Sequence, residues 1–181
     1  GIQFHTDAAQ SFCKCRINVD DMNIDMLSLS GHKIYGPKGI GALYIRDARN
    51  IDIVPLIHGG GQENGLRGGT HPTQLIVGLA TAVEHFPKSP VIEKKTVLDQ
   101  LSKYGCRVNA DGKSVPNIIS VTFFDDEQRQ LFFAENHWLV SQGLACNSTT
   151  NRPSHVLTAI GFNEREARLT YRISLPPYSY E

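Results

Sequence analysis

The sequence predicts an α/β fold in two parts. Its first half alternates short apolar runs with glycine-rich turns, which is typical of strands in a buried sheet with both faces covered. Its second half alternates helical and strand-like patterns, which indicates an α+β unit. Pro87 and Pro90 interrupt the helical pattern between the two halves. We therefore expect one domain over residues 1–88 and a second over residues 89–181.

The first part is expected to contain four strands and one helix. Apolar runs bounded by turn residues predict strands over residues 2–6, 25–30, 41–46 and 53–57. A helix is expected to begin near Thr70 or His71, because Pro72 suits a first helical turn. Leu75 and Leu79 give that helix an apolar face at helical spacing.

The second part is expected to contain three helices and three strands. The patterns predict helices over residues 93–104, 127–136 and 153–160. They predict strands, the second with its turn, over residues 117–124, 139–145 and 169–175. Ile119, Val121 and Phe123 alternate with other residues, so we expect one face of the first of these strands to be buried.

Composition excludes several classes of protein. The 181 residues include 18 Lys and Arg and 18 Asp and Glu, and this balance argues against binding to nucleic acid or a membrane surface. The apolar runs are shorter than the roughly 20 residues that span a bilayer, and we find no secretory signal. The four cysteines are interpreted as reduced thiols of a cytoplasmic protein. Cys13 and Cys15 lack further ligands at zinc spacing, so we expect no metal site.

Residues 28–39 give the strongest indication of chemistry. There a predicted strand ends in Ser30, His32 and Lys33 and runs into a glycine-containing turn. A hydroxyl, an imidazole and an amine at the carboxyl end of a strand suit an anion site with an amine nucleophile. A solvent-exposed lysine in a surface turn is an equally good interpretation of this segment alone. The glycine spacing imitates a P-loop, but Pro37 and a following strand replace the Lys-Ser/Thr and helix that a P-loop needs.

Three further positions could take part in a site. Asp7 ends the first predicted strand, where it could pair with a buried cation or simply cap the next segment. Residues 59–70 form a glycine-rich loop that leads through Thr70 into a helix, which suits phosphate, although a flexible surface loop has the same composition. Cys146 lies in a loop of small and polar residues, where a thiol can be accessible.

Five segments in order resemble the signatures of the NifS/IscS-type cysteine desulfurases. These enzymes use pyridoxal 5'-phosphate (PLP) and belong to the class V aminotransferase group. The matching segments are residues 5–10, 28–39, 58–70, 144–157 and 171–175. The resemblance implies that the first part is the C-terminal half of a fold-type I PLP-dependent transferase large domain. It implies that the second part is the small α+β domain with the reactive-cysteine loop.

The resemblance also implies a role for each matched residue. The catalytic residues would be Lys33, which binds PLP covalently and moves protons at the substrate carbon, and Cys146, which receives the sulfur as a persulfide. Arg172 would bind the carboxylate of L-cysteine. The cofactor contacts would be Asp7 to the ring nitrogen, Gln10 to the phenolic oxygen, Ser30 and His32 to the phosphate, and Thr70 to the phosphate in a partner subunit.

The implied function is conversion of L-cysteine to L-alanine by a homodimer. A sulfur-acceptor protein would take the sulfur to iron–sulfur clusters or another thiolation pathway. Another class V enzyme, an aminotransferase or a selenocysteine lyase, remains an alternative, as does a truncated, non-catalytic fragment that only docks partners. Because the residues before Asp7 read as a strand already under way, we expect a piece of a longer chain that does not turn over cysteine alone.

Overall fold

A computed structural model describes residues 2–87, 94–110, 114–136, 138, 140–142 and 154–176. The chain divides into two compact units, Gly1–Phe86 and Pro87–Glu181. Each unit combines helices with its own β-sheet, and both parallel and antiparallel strand pairs occur. The predicted α/β fold class is therefore confirmed.

The first unit contains a three-stranded sheet in the order β1-β2-β3. The strands are β1 (His5–Asp7), β2 (Met26–Ser30) and β3 (Gly41–Ile45). β1 runs parallel to β2, with Asp7 opposite Ser28, whereas β3 runs antiparallel to β2. The parallel pairing places the carboxyl ends of β1 and β2 at the same edge of the sheet.

The core of the first unit is small. Ala8, Ile24 and Leu27 are buried, and five partly buried side chains pack against them: Phe12, Ile17, Val19, Leu29 and Tyr44. Leu43 on β3 is 51% exposed. The expected sheet with both faces covered is therefore not seen within the described part of this unit.

A tight turn follows β2 and is held in place by helix α1 (Thr73–Glu84). Residues Gly31–Ile34 form one 3₁₀ turn, which ends at Tyr35 in a left-handed conformation with φ 66°. A Cβ atom at Gly78 of α1 would lie 2.5 Å from Cγ of Pro37. The turn and the helix can approach this closely because Gly78 has no side chain.

The fourth predicted strand, residues 53–57, is wrong. This segment has no regular secondary structure, and the side chains of Val54 and Leu56 are 74% and 97% exposed. Pro55 has no backbone N–H with which to continue a ladder. The apolar residues of this segment are not part of the unit's own core, which is why strand-like composition did not produce a strand here.

The second unit contains a four-stranded sheet in the order β4-β5-β7-β6, with every neighbouring pair antiparallel. Its strands are β4 (Cys106–Val108), β5 (Ile118–Phe123), β6 (Val140–Gln142) and β7 (Thr170–Ser174). Its helices are α2 (Lys94–Leu101), α3 (Asp126–Glu135), α4 (His155–Ala159) and α5 (Glu164–Arg168). β4 and α5 were not predicted. Asn163 and Glu166 form a capping box at α5, a sequence signal that could have located this short helix.

The predicted alternation along β5 is confirmed. Ile119, Val121 and Phe123 are at most 1% exposed and belong to one core cluster, which includes Leu101 of α2 and Phe132 of α3. The other face of β5 carries Ile118, Ser120 and Thr122. None of the helices in the described part of the chain is long and apolar enough to cross a membrane.

Candidate active site

Asp7 occupies the last position of β1, at the edge where β1 and β2 both end. Its Oδ1 accepts a 2.8 Å hydrogen bond from the backbone N–H of Ala9, so the carboxylate does serve as a local cap. No described residue hydrogen-bonds its Oδ2, and the side chain is exposed. One carboxylate oxygen is therefore left for a cationic ligand group.

Ser30 and His32 meet at the end of β2. The Ser30 Oγ and His32 Nδ1 atoms are 2.9 Å apart. If the hydroxyl donates to Nδ1, the neutral imidazole keeps an Nε2–H; if Nδ1–H donates, the hydroxyl keeps its own proton. Either arrangement leaves one donor available, and protonation of the imidazole adds another. The pair is chemically suited to an anion.

Lys33 lies in the turn between two buried residues, Gly31 and Ile34. Its side chain is partly buried. Burial, and after it the positive charge of Lys33, lowers the pKa of Lys14. The electrostatic influence means that the two amines lie in the same neighbourhood. The first unit thus groups Asp7, Ser30, His32 and Lys33 around the carboxyl ends of β1 and β2.

Gln10 is held by Lys14, a residue that the sequence motifs did not single out. Lys14 Nζ donates a 3.3 Å hydrogen bond to Gln10 Oε1, and both side chains are partly buried. The two residues are four positions apart in a segment with helix-like backbone bonds, such as that from the N–H of Phe12 to the carbonyl of Ala8. The i,i+4 spacing of Gln10 and Lys14 is the sequence signal that could have predicted this hydrogen bond.

Thr70 is exposed at the end of a closed loop that precedes α1. The N–H of Gly69 donates to Oε1 of Gln62 at 3.2 Å, and His71 Nε2 lies 2.9 Å from Oε1 of Glu63. These two contacts fix the chain on both sides of Thr70. The Glu63–His71 pair was also missed, because a separation of eight residues across a loop gives no periodic signal.

Arg172 belongs to β7 in the second unit, between the cross-strand partners Ser120 on β5 and Ser141 on β6. Its Nε atom is buried, and no described residue accepts a hydrogen bond from it. Buried polar groups are almost always hydrogen-bonded, so a missing acceptor indicates a place for a ligand atom. The Nε–H of Arg172 is thus a donor that no described residue uses.

Cys146 lies outside the described residues, so its expected role stays a prediction. The structure describes three thiols: Cys13, Cys15 and Cys106. Burial raises the pKa of Cys13 and of Cys106, which disfavours the nucleophilic thiolate at both positions.

The comparison with known proteins identifies the class. Residues 1–181 match the family described as aminotransferase class-V, and the chain belongs to this family. It is 39% identical over 191 residues to the cysteine desulfurase IscS of Rickettsia bellii, and it covers 47% of that protein. The resemblance to NifS/IscS-type cysteine desulfurases that the sequence suggested is thereby confirmed.

Two solved structures share the fold. A structure of SspA in complex with cysteine has 62% sequence identity and a TM-score of 0.88, over 99% of this chain and 52% of that one. A NifS-like protein from Rickettsia africae has 29% identity and a TM-score of 0.76, over 98% of this chain and 49% of that one. The chain thus spans about half the length of the relatives it matches.

Proposed function

We propose that a full-length protein containing this chain is a PLP-dependent cysteine desulfurase that converts L-cysteine to L-alanine and passes the sulfur to Cys146. The observation that supports this best is the grouping of Asp7, Ser30, His32 and Lys33 at the carboxyl ends of two adjacent parallel strands. The named desulfurase relatives and the cysteine bound to SspA support the same conclusion.

The donor set fits PLP. Ser30 and His32 offer donors to a phosphate, the open oxygen of Asp7 suits a protonated ring nitrogen, and Lys33 offers an amine to the aldehyde. The amide N–H groups of Gln10 suit the phenolic oxygen, because its Oε1 already accepts from Lys14. When bound, PLP supplies an electron sink for a negative charge that develops at the substrate carbon.

Each residue of this chain then has a physical task. Arg172 binds the substrate carboxylate through its planar guanidinium and so fixes the orientation of the amino acid. Lys33, once its amine is free, takes the proton from Cα and later returns a proton to the carbon skeleton. The carboxylate of Asp7 would face the ring nitrogen of bound PLP and favour its protonated form.

Cys146 performs the sulfur transfer. Its thiolate attacks the sulfur of the substrate, an S–S bond forms, and the C–S bond breaks with its electron pair remaining on the substrate side. Protonation of the carbon gives L-alanine, and Cys146 is left as a persulfide. Because an ordinary cysteine thiol is mostly protonated at neutral pH, Cys146 needs a cationic environment to react there.

We also propose a cytoplasmic homodimer in which Thr70 completes the phosphate site of the partner subunit. The exposed position of Thr70 at the end of a fixed loop supports this arrangement. A sulfur-acceptor protein takes the persulfide sulfur onward to iron–sulfur clusters or another thiolation pathway. In the same proposal, residues 1–88 are part of the PLP-binding domain. Residues 89–181 form the small domain that carries the cysteine loop.

The test uses the full-length protein loaded with PLP. L-Cysteine should yield equal amounts of alanine and, with a thiol reductant present, sulfide. Cys146→Ser should retain the visible absorption of the cofactor and lose sulfide release. Cys15→Ser is the matched control, because Cys15 is exposed and has no role in the proposal. Retained turnover in Cys146→Ser would reject the role of this thiol.

The same assay separates the alternative activities. An aminotransferase would convert amino acids to keto acids without needing Cys146. A selenocysteine lyase would release selenide from selenocysteine in the Cys146→Ser variant as well. We expect the 181 residues alone to release no sulfide, and cysteine-dependent release by them would contradict that expectation.

A further inference from the structure

The second unit contains a cavity of about 580 Å³, lined by residues of its sheet and of two helices. β6 and β7 contribute the cross-strand partners Gln142 and Tyr171. The charged lining residues come from α3 and α5: Asp126, Arg129, Glu164, Arg165 and Arg168. The side chain of Gln142 donates to the carbonyl of Arg168 and so ties the end of α5 to the sheet. A cavity of this volume falls within the range of small-molecule sites, which is roughly 300–1,000 Å³.

The charged groups of the cavity leave one positive charge unbalanced, because three guanidinium groups face two carboxylates. Arg129 pairs with Asp126 at 2.9 Å, and Arg168 pairs with Glu164 at 2.8 Å, each pair within its own helix. Apart from the partly buried Arg129, these side chains are exposed, and exposed pairs contribute little to stability. Arg165 makes no hydrogen bond or ion pair with any residue in the described part of the chain. Its guanidinium is therefore available to a ligand.

A buried hydroxyl group adds a neutral donor to the same cavity. Tyr171 is 9% exposed, and its ring packs edge-on against Phe123 and Phe133. Its Oη accepts a 3.5 Å hydrogen bond from Nη1 of Arg129, and a guanidinium can only donate. The phenolic proton is thus not used in this contact, and none of the described residues accepts it. Because buried polar groups are generally hydrogen-bonded, the missing acceptor indicates a place for a ligand atom.

We propose that this cavity binds a small organic anion through a single carboxylate or phosphate group. The planar fork of Arg165 offers two parallel N–H groups to two oxygens of the anion, and Tyr171 donates its hydroxyl proton to one of them. Asp126 and Glu164 disfavour a ligand with several negative charges, because they would repel it. The proposal does not depend on the role proposed for Arg172. Successive residues of a strand point to opposite faces, so Arg172 and Tyr171 lie on different sides of β7.

The test measures the binding of benzoate and of phenyl phosphate to the full-length protein loaded with PLP, by NMR titration. Benzamide, which carries the same ring without a charge, is the matched comparison. At least one of the two anions should bind about tenfold more tightly than benzamide. Tighter binding of benzoate would identify a carboxylate as the preferred group, and tighter binding of phenyl phosphate would identify a phosphate. Equal dissociation constants for all three compounds would overturn the proposal.

Two variants place the anion in the cavity. Arg165→Met removes the charge but keeps an unbranched side chain, and it should weaken binding of the preferred anion about tenfold. Tyr171→Phe removes only the hydroxyl group and should weaken it about threefold. Arg49→Met is the control, because Arg49 is an exposed arginine of the first unit that also has no described partner. Unchanged affinity in Arg165→Met would overturn the proposal.

Arg172→Ala separates this cavity from the proposed substrate site. The tight binding of the anion should persist in this variant, because Arg172 lies on the other side of β7. If Arg172→Ala abolishes the binding and Arg165→Met does not, the anion occupies the substrate site and the proposal is overturned, while the role of Arg172 stands. If Arg172→Ala retains full turnover of L-cysteine, the role of Arg172 fails, and anion binding that is lost in Arg165→Met still supports the cavity.

Discussion

Lys14 Nζ donates a hydrogen bond to Oε1 of Gln10, with the two atoms 3.3 Å apart and both side chains partly buried. Because the Lys14 ammonium can only donate, this hydrogen bond occupies the oxygen of the Gln10 amide. Gln10 can then present only its N–H groups to a ligand, as a donor to an oxygen. Lys14 also places a positive charge in the neighbourhood of Lys33. Lys14, which was not predicted to belong to the site, therefore influences Gln10 and Lys33, which were.

Lys14→Met tests this influence. The substitution should raise the pH at which the visible absorption of bound PLP titrates in the full-length protein. The physical reason is twofold: the Gln10 amide loses its fixed orientation, and a positive charge that opposes protonation of the bound cofactor is removed. Spectrophotometric titration measures the midpoint.

Lys38→Met is the matched control, because Lys38 is an exposed lysine that follows the turn containing Lys33. It should leave the midpoint unchanged. An unchanged midpoint in Lys14→Met would show that the contact with Gln10 has no bearing on the cofactor.

Gly78→Ala tests the packing that fixes the lysine turn. The added methyl group would lie 2.5 Å from Cγ of Pro37, a ring atom that cannot rotate away. Overpacking of this kind costs about 1–3 kcal/mol of unfolding free energy. Denaturant titration should show that loss, and PLP affinity should fall with it because the turn contains Lys33.

Gly61→Ala is its control. Gly61 has an ordinary backbone φ of −79°, and a Cβ atom there would have open space around it. This variant should match or slightly exceed the parent in stability. Equal stabilities for Gly78→Ala and the parent would mean that α1 does not hold the turn at this point.

Cys106 makes the free energy of unfolding depend on pH in the alkaline range. Burial raises the pKa of this thiol above its ordinary value of 9.0, and its Sγ donates to the carbonyl of Leu101 at 3.4 Å. A raised pKa means that the folded state holds the proton more tightly than the unfolded state. The stabilising contribution is complete below pH 9.0 and is lost as pH rises from 9.0 through the folded-state value.

Cys106→Ala should flatten the fall in unfolding free energy above pH 9, as measured by denaturant titrations across that range. Cys15→Ala, at an exposed position, should leave the slope as it is in the parent. If Cys106→Ala and the parent lose stability equally steeply, the thiol proton is not the source of the dependence.

The sequence predicted those features that depend on local pattern. The alternation of Ile119, Val121 and Phe123 anticipated a buried face of β5, because apolar area is removed from water at every second residue. The strand that ends at Ser30 and the turn that contains Lys33 were recognisable because glycines and a proline limit the path of the chain there.

Contacts between distant segments could not be predicted in the same way. The hydrogen bonds of Asn109, which directly follows β4, with Ser120 and Thr122 on β5 depend on the register of the two strands, which a single strand's composition does not determine. The segment around Pro55 shows the converse: its apolar composition suggested a strand, yet Val54 and Leu56 are exposed and the segment has no regular secondary structure.

Lys33 is the amine that we propose binds the cofactor. Borohydride reduction of the full-length protein loaded with PLP, followed by proteolysis and mass spectrometry, identifies the modified lysine directly. We predict that the peptide containing Lys33 alone gains the mass of the reduced cofactor, and that Lys33→Ala abolishes both the label and the visible absorption. A label on Lys14, Lys38 or any lysine other than Lys33 would contradict the account.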